Sequence, residues 1–309
     1  MTTSTTVAQL YTDLVADLVP YFMNATLLPN SALIRNSINM VGETGGTVRF
    51  PVTNPYTNAS NVAEGDPIGN ASNLTPTAVS ISLQKRGVGS DVTLEALSDG
   101  GYDLVYRSTL QRIGGGLAQA TDIAGLLVAA DGFDPDTAGN NADVGTASTL
   151  NTSSVNLIMS PDALGYAVKD EGPMIETWYD INTQTHTFRG SIRDGYAAIN
   201  PKMGVRMTGL NAVGTSVDTI GFDIQAVAKA VSLLRVQNSG TLDNGNYIAA
   251  IDPAAEFALN EQVALAGGAT SIGSLSDIGN QAFYDGLIGQ AVGAAFFRTN
   301  NLPNGLQTT

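Results

Sequence analysis

Four aspartates, Asp131, Asp134, Asp136 and Asp143, crowd the stretch 131–153, DGFDPDTAGNNADVGTASTLNTS. Closely spaced carboxylates are the raw material of a calcium loop. A helix–loop–helix site, however, needs ligands at alternating positions and a terminal bidentate glutamate. The spacing here does not fit, and no glutamate follows. The stretch reads as a solvated, turn-rich connection. Glu171 with Glu176, or Asp170 with Asp180, can be posed as a glycosidase pair, but no aromatic-lined cleft accompanies either. The one histidine, His186, lies between Thr185 and Thr187 on a polar alternating stretch and reads as a surface strand residue. There is no cysteine, so disulfides, thiolate metal sites and a cysteine nucleophile are all out of reach. No phosphate loop, dinucleotide fingerprint, nucleophile elbow or zinc-protease helix occurs. The sequence thus offers no catalytic residue, no cofactor site and no metal site, which moves weight from an enzyme to a structural protein.

Composition narrows the class further. Lys plus Arg is 14 against 28 for Asp plus Glu, a net charge of −14, which disfavours a free-standing DNA-binding domain. Hydrophobic residues at 43% are enough for a real core. Charged residues are only 14%, as expected when much of the surface meets other subunits. No apolar run is expected to reach the length of a membrane span. The start, MTTSTTVAQLYTDLV, lacks the basic region and apolar core of a signal peptide, so a soluble, cytoplasmically made protein is expected. Matches to the glycosylation triplet at Asn24, Asn58, Asn70, Asn73 and Asn151 are chance in an Asn/Thr-rich chain.

The elements that would position such residues centre on 91–131, DVTLEALSDGGYDLVYRSTLQRIGGGLAQATDIAGLLVAAD. A short helical turn from Thr93 to Ser98 breaks at Asp99-Gly100-Gly101. Then Tyr106, Leu110, Ile113, Leu117, Ala120, Ile123 and Leu127 recur at helical spacing. From Tyr102 to Ala130 that helix spans roughly 43 Å. Gly114-Gly115-Gly116 inside it implies a kink or a very close neighbour. Upstream, residues 4–19 read as an amphipathic helix closed by Pro20, and 20–43 as an extended arm with short helical turns. TVRFPVT (47–53) and AVSISL (78–83) alternate as strands around a polar, turn-rich stretch. This is a two-stranded arm; Pro51 puts its strand at an edge. Lys85-Arg86 closes the second strand, and Gly87-Val88-Gly89 turns the chain toward the helix.

Downstream, strands are expected at 155–159, 174–179, 185–191, 196–199, 205–208, 247–251 and 291–297. Helices are expected from Ser160 or Asp162 to Lys169, at 223–236, from Asp252-Pro253 to about Leu265, and at 277–289. Trp178, Tyr179 and Phe188 read as core aromatics.

The order of arm helix, long β-arm with a polar tip and long spine helix resembles the tailed-bacteriophage major capsid proteins, the fold named after the Hong Kong ninety-seven phage. GGTVRFPV entering the arm, VAEGDPI near its tip and VTLEALSDGGYDLVYRSTLQRIGGGLAQATDIAGLL carry the likeness over about 1–131. SLLRVQNSGTLDNGNYIAAIDPAAEFAL and GQAVGAAFFRTNNLP are similar to the apical region. NLIMSPDALGYAVKDE with GYAAINPKMGVRMTG is similar to the segment that closes the peripheral domain near the C-terminus. Here that segment comes first, which suggests a circular permutation.

The resemblance implies an α+β capsid fold, divided into an N-terminal arm (1–43), extended β-hairpin loop (44–90), spine helix (91–131), connecting loop (132–153), rest of the peripheral domain (154–212) and apical domain (213–309). It implies a major capsid protein whose partners are copies of itself, as hexamers and pentamers closed into an icosahedral shell. Portal protein, scaffolding or cement proteins and double-stranded DNA packaged without sequence specificity complete the set; no membrane and no cofactor enter. The place of action is the virion, with assembly in the host cytoplasm. Candidates for inter-subunit contacts are Arg35, Arg49, Tyr56, Glu64, Asp66, Lys85, Arg86, Arg107 and Arg112. Some relatives cross-link through an arm lysine; Lys85 stands at the base of the arm, so no cross-link is expected. The rival readings are an encapsulin-like nanocompartment shell, a secreted adhesin and a carboxylate hydrolase.

Overall fold

The computed structural model describes residues 18, 34–40, 45–52, 77–100, 102–134, 140–141, 155–169, 173–207, 224–253, 255–256, 287–299 and 301–302. In chain order these form β1 (Asn36–Asn39), β2 (Thr47–Val52), β3 (Thr77–Ser82), β4 (Gln84–Thr93), α1 (Leu94–Gly100), α2 (Tyr102–Gly132), β5 (Asn156–Met159), β6 (Leu164–Val168), β7 (Met174–Asp180), β8 (Thr185–Ala198), β9 (Gly204–Met207), α3 (Ile224–Val236), β10 (Tyr247–Ile251), β11 (Leu287–Ala291) and β12 (Ala294–Arg298).

The first sheet has the order β1-β6-β8-β4, with β7 also paired to β8. Its axis is β8, a 14-residue strand packed on one face along α2 and covered on the other only toward its C-terminal end, Arg189 and Arg193 staying exposed. Phe188 and Ile192 pack with Leu110, Ile113 and Leu117 of α2. On the opposite face Ala197 and Ile199 pack with Val48, Phe50 and Ile81 of the arm. Strict alternation of side chains along a strand makes this possible. Two glycines let both layers come close. A Cβ on Gly190 would overlap Ile113 and sit 2.9 Å from Leu117 Cδ1. A Cβ on Gly195 would lie 2.6 Å from the Ser82 carbonyl oxygen of the arm. Gly190→Ala is therefore expected to destabilise by roughly 1–3 kcal/mol through overpacking, read as a lower urea midpoint with an unchanged slope.

The second sheet has the order β11-β12-β10-β5-β9. Its inner strands β10 and β12 are covered on both faces, so YIAAI and AAFF read as unbroken apolar runs rather than alternating ones. Tyr247, Ala249 and Ile251 of β10 pack on Val227, Val231 and Leu234 of α3. Ile248 and Ala250 of the same strand face Leu126, Ala129 and Phe133 at the end of α2. The long helix is thus shared: its first half seats on the first sheet, and its second half lies between the two, touching Leu164, Tyr166 and Tyr196 of the first as well as the second sheet.

Several sequence expectations are corrected. Gly87-Val88-Gly89 does not turn the chain; β4 runs straight through it, paired residue for residue with β8. The expected helix through Lys169 is β6, because Leu164–Val168 is covered on both faces and a short apolar run carries no distinguishing period. The two expected strands at 185–191 and 196–199 are one strand. Residues 287–289 are strand, and 291–297 is not one strand: Ala291 ends β11, 292–293 turn the chain, and Ala294, paired to Ala291, starts β12. Residues 36–39 of the expected arm form β1, parallel to β6.

Within α2 the helix is continuous across 31 residues, glycines included. Gly116 admits Val88, whose Cγ2 would lie 3.3 Å from an added Cβ, so close approach explains that glycine. The fully buried line is Leu110, Ile113, Leu117, Thr121, Leu126, Ala129, whereas Ile123 and Leu127 are half-buried. By length and hydropathy Val105–Gly132 would suffice to cross a membrane, contrary to expectation. Here two sheets cover it instead.

The segment 154–212 is split between the sheets. β7 and the first part of β8 lie against the first half of α2, and β6 and the end of β8 against its second half, while β5 and β9 pair with each other and, through β10, join the second sheet. Most of the N-terminal helix expected at 4–19 lies outside the described residues; Leu18, fully buried, packs in the cluster beneath α2.

Candidate assembly surfaces

No group of three or more metal-ligating side chains converges among the described residues. Asp134 instead pairs with Arg206 at 3.2 Å, and Asn140 donates to the Gly132 and Asp134 carbonyls at the end of α2. Asn141, buried, donates to the Lys202 and Gly204 carbonyls and ties that end to β9. Asp136 and Asp143 lie outside the described residues.

The arm is β2 paired antiparallel with β3, from Thr47 opposite Ser82 to Val52 opposite Thr77. An isolated two-stranded ribbon is marginal in water. This one rests its base on the first sheet through Val48, Phe50 and Ile81. With only two strands both are edges, which is why Pro51 is tolerated. The arm and α2 therefore sit on opposite faces of one sheet.

Between that sheet and α2 lies a buried polar cluster that the sequence reading missed. Arg86 Nε donates to Asp194 Oδ1 at 2.7 Å, and the Asp194 side chain is 0% exposed. Thr121, Asp122, Tyr166 and Tyr196 surround the pair, all buried. Burial raises the Asp194 carboxyl above the usual carboxylate range, and Arg86 offsets part of that rise. Burial likewise pushes the Tyr166 and Tyr196 phenols up. Asp194 Oδ2, Thr121 Oγ1 and Tyr196 Oη are buried with no hydrogen bond of good geometry. By alternation Asp194 shares a face with Phe188, Ile192 and Tyr196, which was the available signal, but nothing in sequence shows that this face lies under the helix.

A second latch joins the N-terminal segment to the loop before β10. Arg35 pairs with Asp162 at 3.5 Å and donates to the Thr241 carbonyl. Asn36 and Asn200 both donate to the Asp162 carbonyl.

No protein-family model matches this sequence, and no curated protein matches it either. Solved structures do. The capsid of bacteriophage JBD30 decorated with minor capsid protein trimers superposes with TM-score 0.52 at 11% identity, over 89% of this chain and 90% of that one. The bacteriophage JBD30 capsid superposes with TM-score 0.50 at 12% identity, over 72% and 79%. The fold is that of a bacteriophage capsid subunit.

Within this capsid fold the residues singled out from sequence fall into three groups. Arg35 and Arg86 are engaged inside the chain. Arg49 on β2, Lys85 on β4, and Arg107 and Arg112 on α2 are exposed. Tyr56, Glu64 and Asp66 lie outside the described residues. Two residues expected in the core are instead on the surface: Trp178 and Tyr179 are exposed, because β7 is an edge strand with nothing beyond it among the described residues. Trp178 stacks against the Arg189 guanidinium at 4.5 Å, and Tyr179 against His186 at 4.8 Å. Phe188 is buried as expected, in edge contact with Tyr106. His186 is half-buried on β8.

Proposed function

We propose that this chain is the major capsid protein of a tailed double-stranded DNA bacteriophage and assembles as hexamers and pentamers into an icosahedral shell. The observation that carries this is the superposition on a phage capsid chain over nine-tenths of both lengths, with a two-stranded arm resting on the sheet that seats the long helix. A ribbon that cannot stand alone gains stability by lying over a neighbouring subunit, and weak contacts then accumulate over many copies. On this reading the first sheet with α2 is the peripheral domain and the second sheet with α3 the apical domain. The shell would enclose DNA without reading its sequence, take a portal, and accept scaffolding or cement proteins; its place is the virion, after assembly in the host cytoplasm. The role is structural rather than enzymatic. Arg49, Lys85, Arg107 and Arg112 are the inter-subunit candidates whose side chains are exposed. Each exposed ion pair contributes about 0–1 kcal/mol.

The test is electron microscopy of the recombinant chain, with mass photometry on the same sample. Closed uniform shells, or capsomers that close on changing salt, are expected. Deleting 56–74 from the arm is expected to abolish closed shells while leaving the subunit folded by circular dichroism. A monomer indifferent to concentration, with phage partners supplied, would sink the proposal. Protein cargo in place of DNA would move it to a nanocompartment shell.

A further inference from the structure

The β11–β12 hairpin turns through Val292 and Gly293, both at positive φ, 55° and 85°. Two such residues between directly paired strands make a type I′ turn, whose first position strongly favours asparagine or glycine. Gly293 suits its place because φ of 85° is a conformation glycine adopts without cost, and the turn lies close enough to α3 that an added Cβ would meet the movable end of Arg235, 2.7 Å from Nη2. Val292 has no such excuse. A β-branched residue at positive φ is a backbone outlier. The other non-glycine residues at positive φ among those described, Gln184 and Asn238, are not β-branched. Retained strain of this kind points to a task beyond the turn.

The surroundings indicate which task. Val292 is 44% exposed, so the valine fills no core. Its turn packs on the last turn of α3, against Val231 and Arg235. Val236, at the end of that helix, is 75% exposed. Lys229, Ser232 and Val236 share one side of α3 by their spacing, with Arg235 beside them, and all four are exposed. The helix IQAVAKAVSLLRV holds two cations and no acid, in a chain of net charge −14.

We propose that the Val292–Gly293 turn, with Val236, Arg235 and Lys229 of α3, is a contact surface for a second copy of this chain. Two exposed valines supply desolvation, and two cations are attracted to a partner copy of net charge −14. The inference rests on the capsid reading, since it needs self-association. Nucleic acid would answer the cations but would leave both valines without a purpose.

The full chain, Val292→Asn and, separately, Val236→Ser would be compared for shell yield by electron microscopy and light scattering. Unassembled Val292→Asn subunits are expected to unfold about 2–4 °C higher, as strain is relieved. Shell yield is expected to fall roughly tenfold in both variants. Val236→Ser separates the contact from the strain, because it alters no turn. Both variants assembling like the parent would overturn the contact and leave the capsid reading standing. Intact shells that retain less DNA would overturn it in favour of a nucleic-acid surface. A parent chain that never self-associates would overturn both.

Discussion

Arg86→Met is expected to destabilise the subunit by about 3–5 kcal/mol at neutral pH, because it strands the Asp194 carboxylate in the interior. The side chain of Asp194 is fully buried, and Arg86, 19% exposed, is its ion-pair partner. The deficit should depend on pH with a definite sign. Burial raises the folded-state pKa of Asp194, and Arg86 is the leading influence that lowers it. Removing Arg86 therefore raises it further. A carboxyl whose folded pKa lies above its unfolded value favours folding fully below the unfolded pKa, and that advantage is lost as pH rises through the folded pKa. The variant should thus approach the parent in mild acid and fall away from it toward neutrality. Urea unfolding of both proteins across that range checks it; a deficit independent of pH would mean that Asp194 is not the group responsible. Arg86→Met with Asp194→Leu should recover much of the loss, since an apolar replacement leaves no buried charge.

Phe133→Ala is expected to cost about 3–5 kcal/mol as a truncated, fully buried aromatic. Phe133 follows α2 and packs among Leu157, Met159, Ile248 and Phe297 of the second sheet and Leu164 and Tyr166 of the first. Its ring lies directly on Gly204 of β9, where an added Cβ would overlap three ring carbons. Gly204→Ala alone should destabilise by roughly 1–3 kcal/mol or more from overpacking. In the Phe133→Ala background the same methyl enters space the ring has left. The double variant should be less destabilised than the two single losses added together, by about 0.5–3 kcal/mol. Additive losses would show that the ring and the glycine do not share one space. Denaturant midpoints of the four proteins complete the cycle.

The arm, the long helix and most second-sheet strands were legible in the chain because local pattern encodes them. Alternation in TVRFPV and AVSIS is the arm. The three-to-four spacing from Leu110 to Leu117 is the spine. YIAAI is short and wholly apolar, as a strand covered on both faces must be. Where pattern was ambiguous, the tertiary structure decided. LGYAV carries no period that separates strand from helix, and it became β6 because β1 and β8 offer it hydrogen-bonding edges on both sides. Gly87 and Gly89 look like turn residues, yet they are the places where β4 lies close against Gly190 and Arg189 of β8. Trp178 and Tyr179 have core composition, but a strand at a sheet edge leaves them exposed.

The partners of Arg86 and Arg35 lay 108 and 127 residues away along the chain (194 − 86 and 162 − 35), a distance no local pattern spans. By itself, then, the sequence determined which segments form the arm, the spine helix and most strands of the second sheet, because side-chain periodicity is a local property. It also excluded thiolate chemistry, by the absence of cysteine. The tertiary structure alone decided which charges are neutralised inside the subunit, which remain on its surface, and that one helix serves two sheets. Pairing and burial depend on residues brought together only when the chain closes on itself.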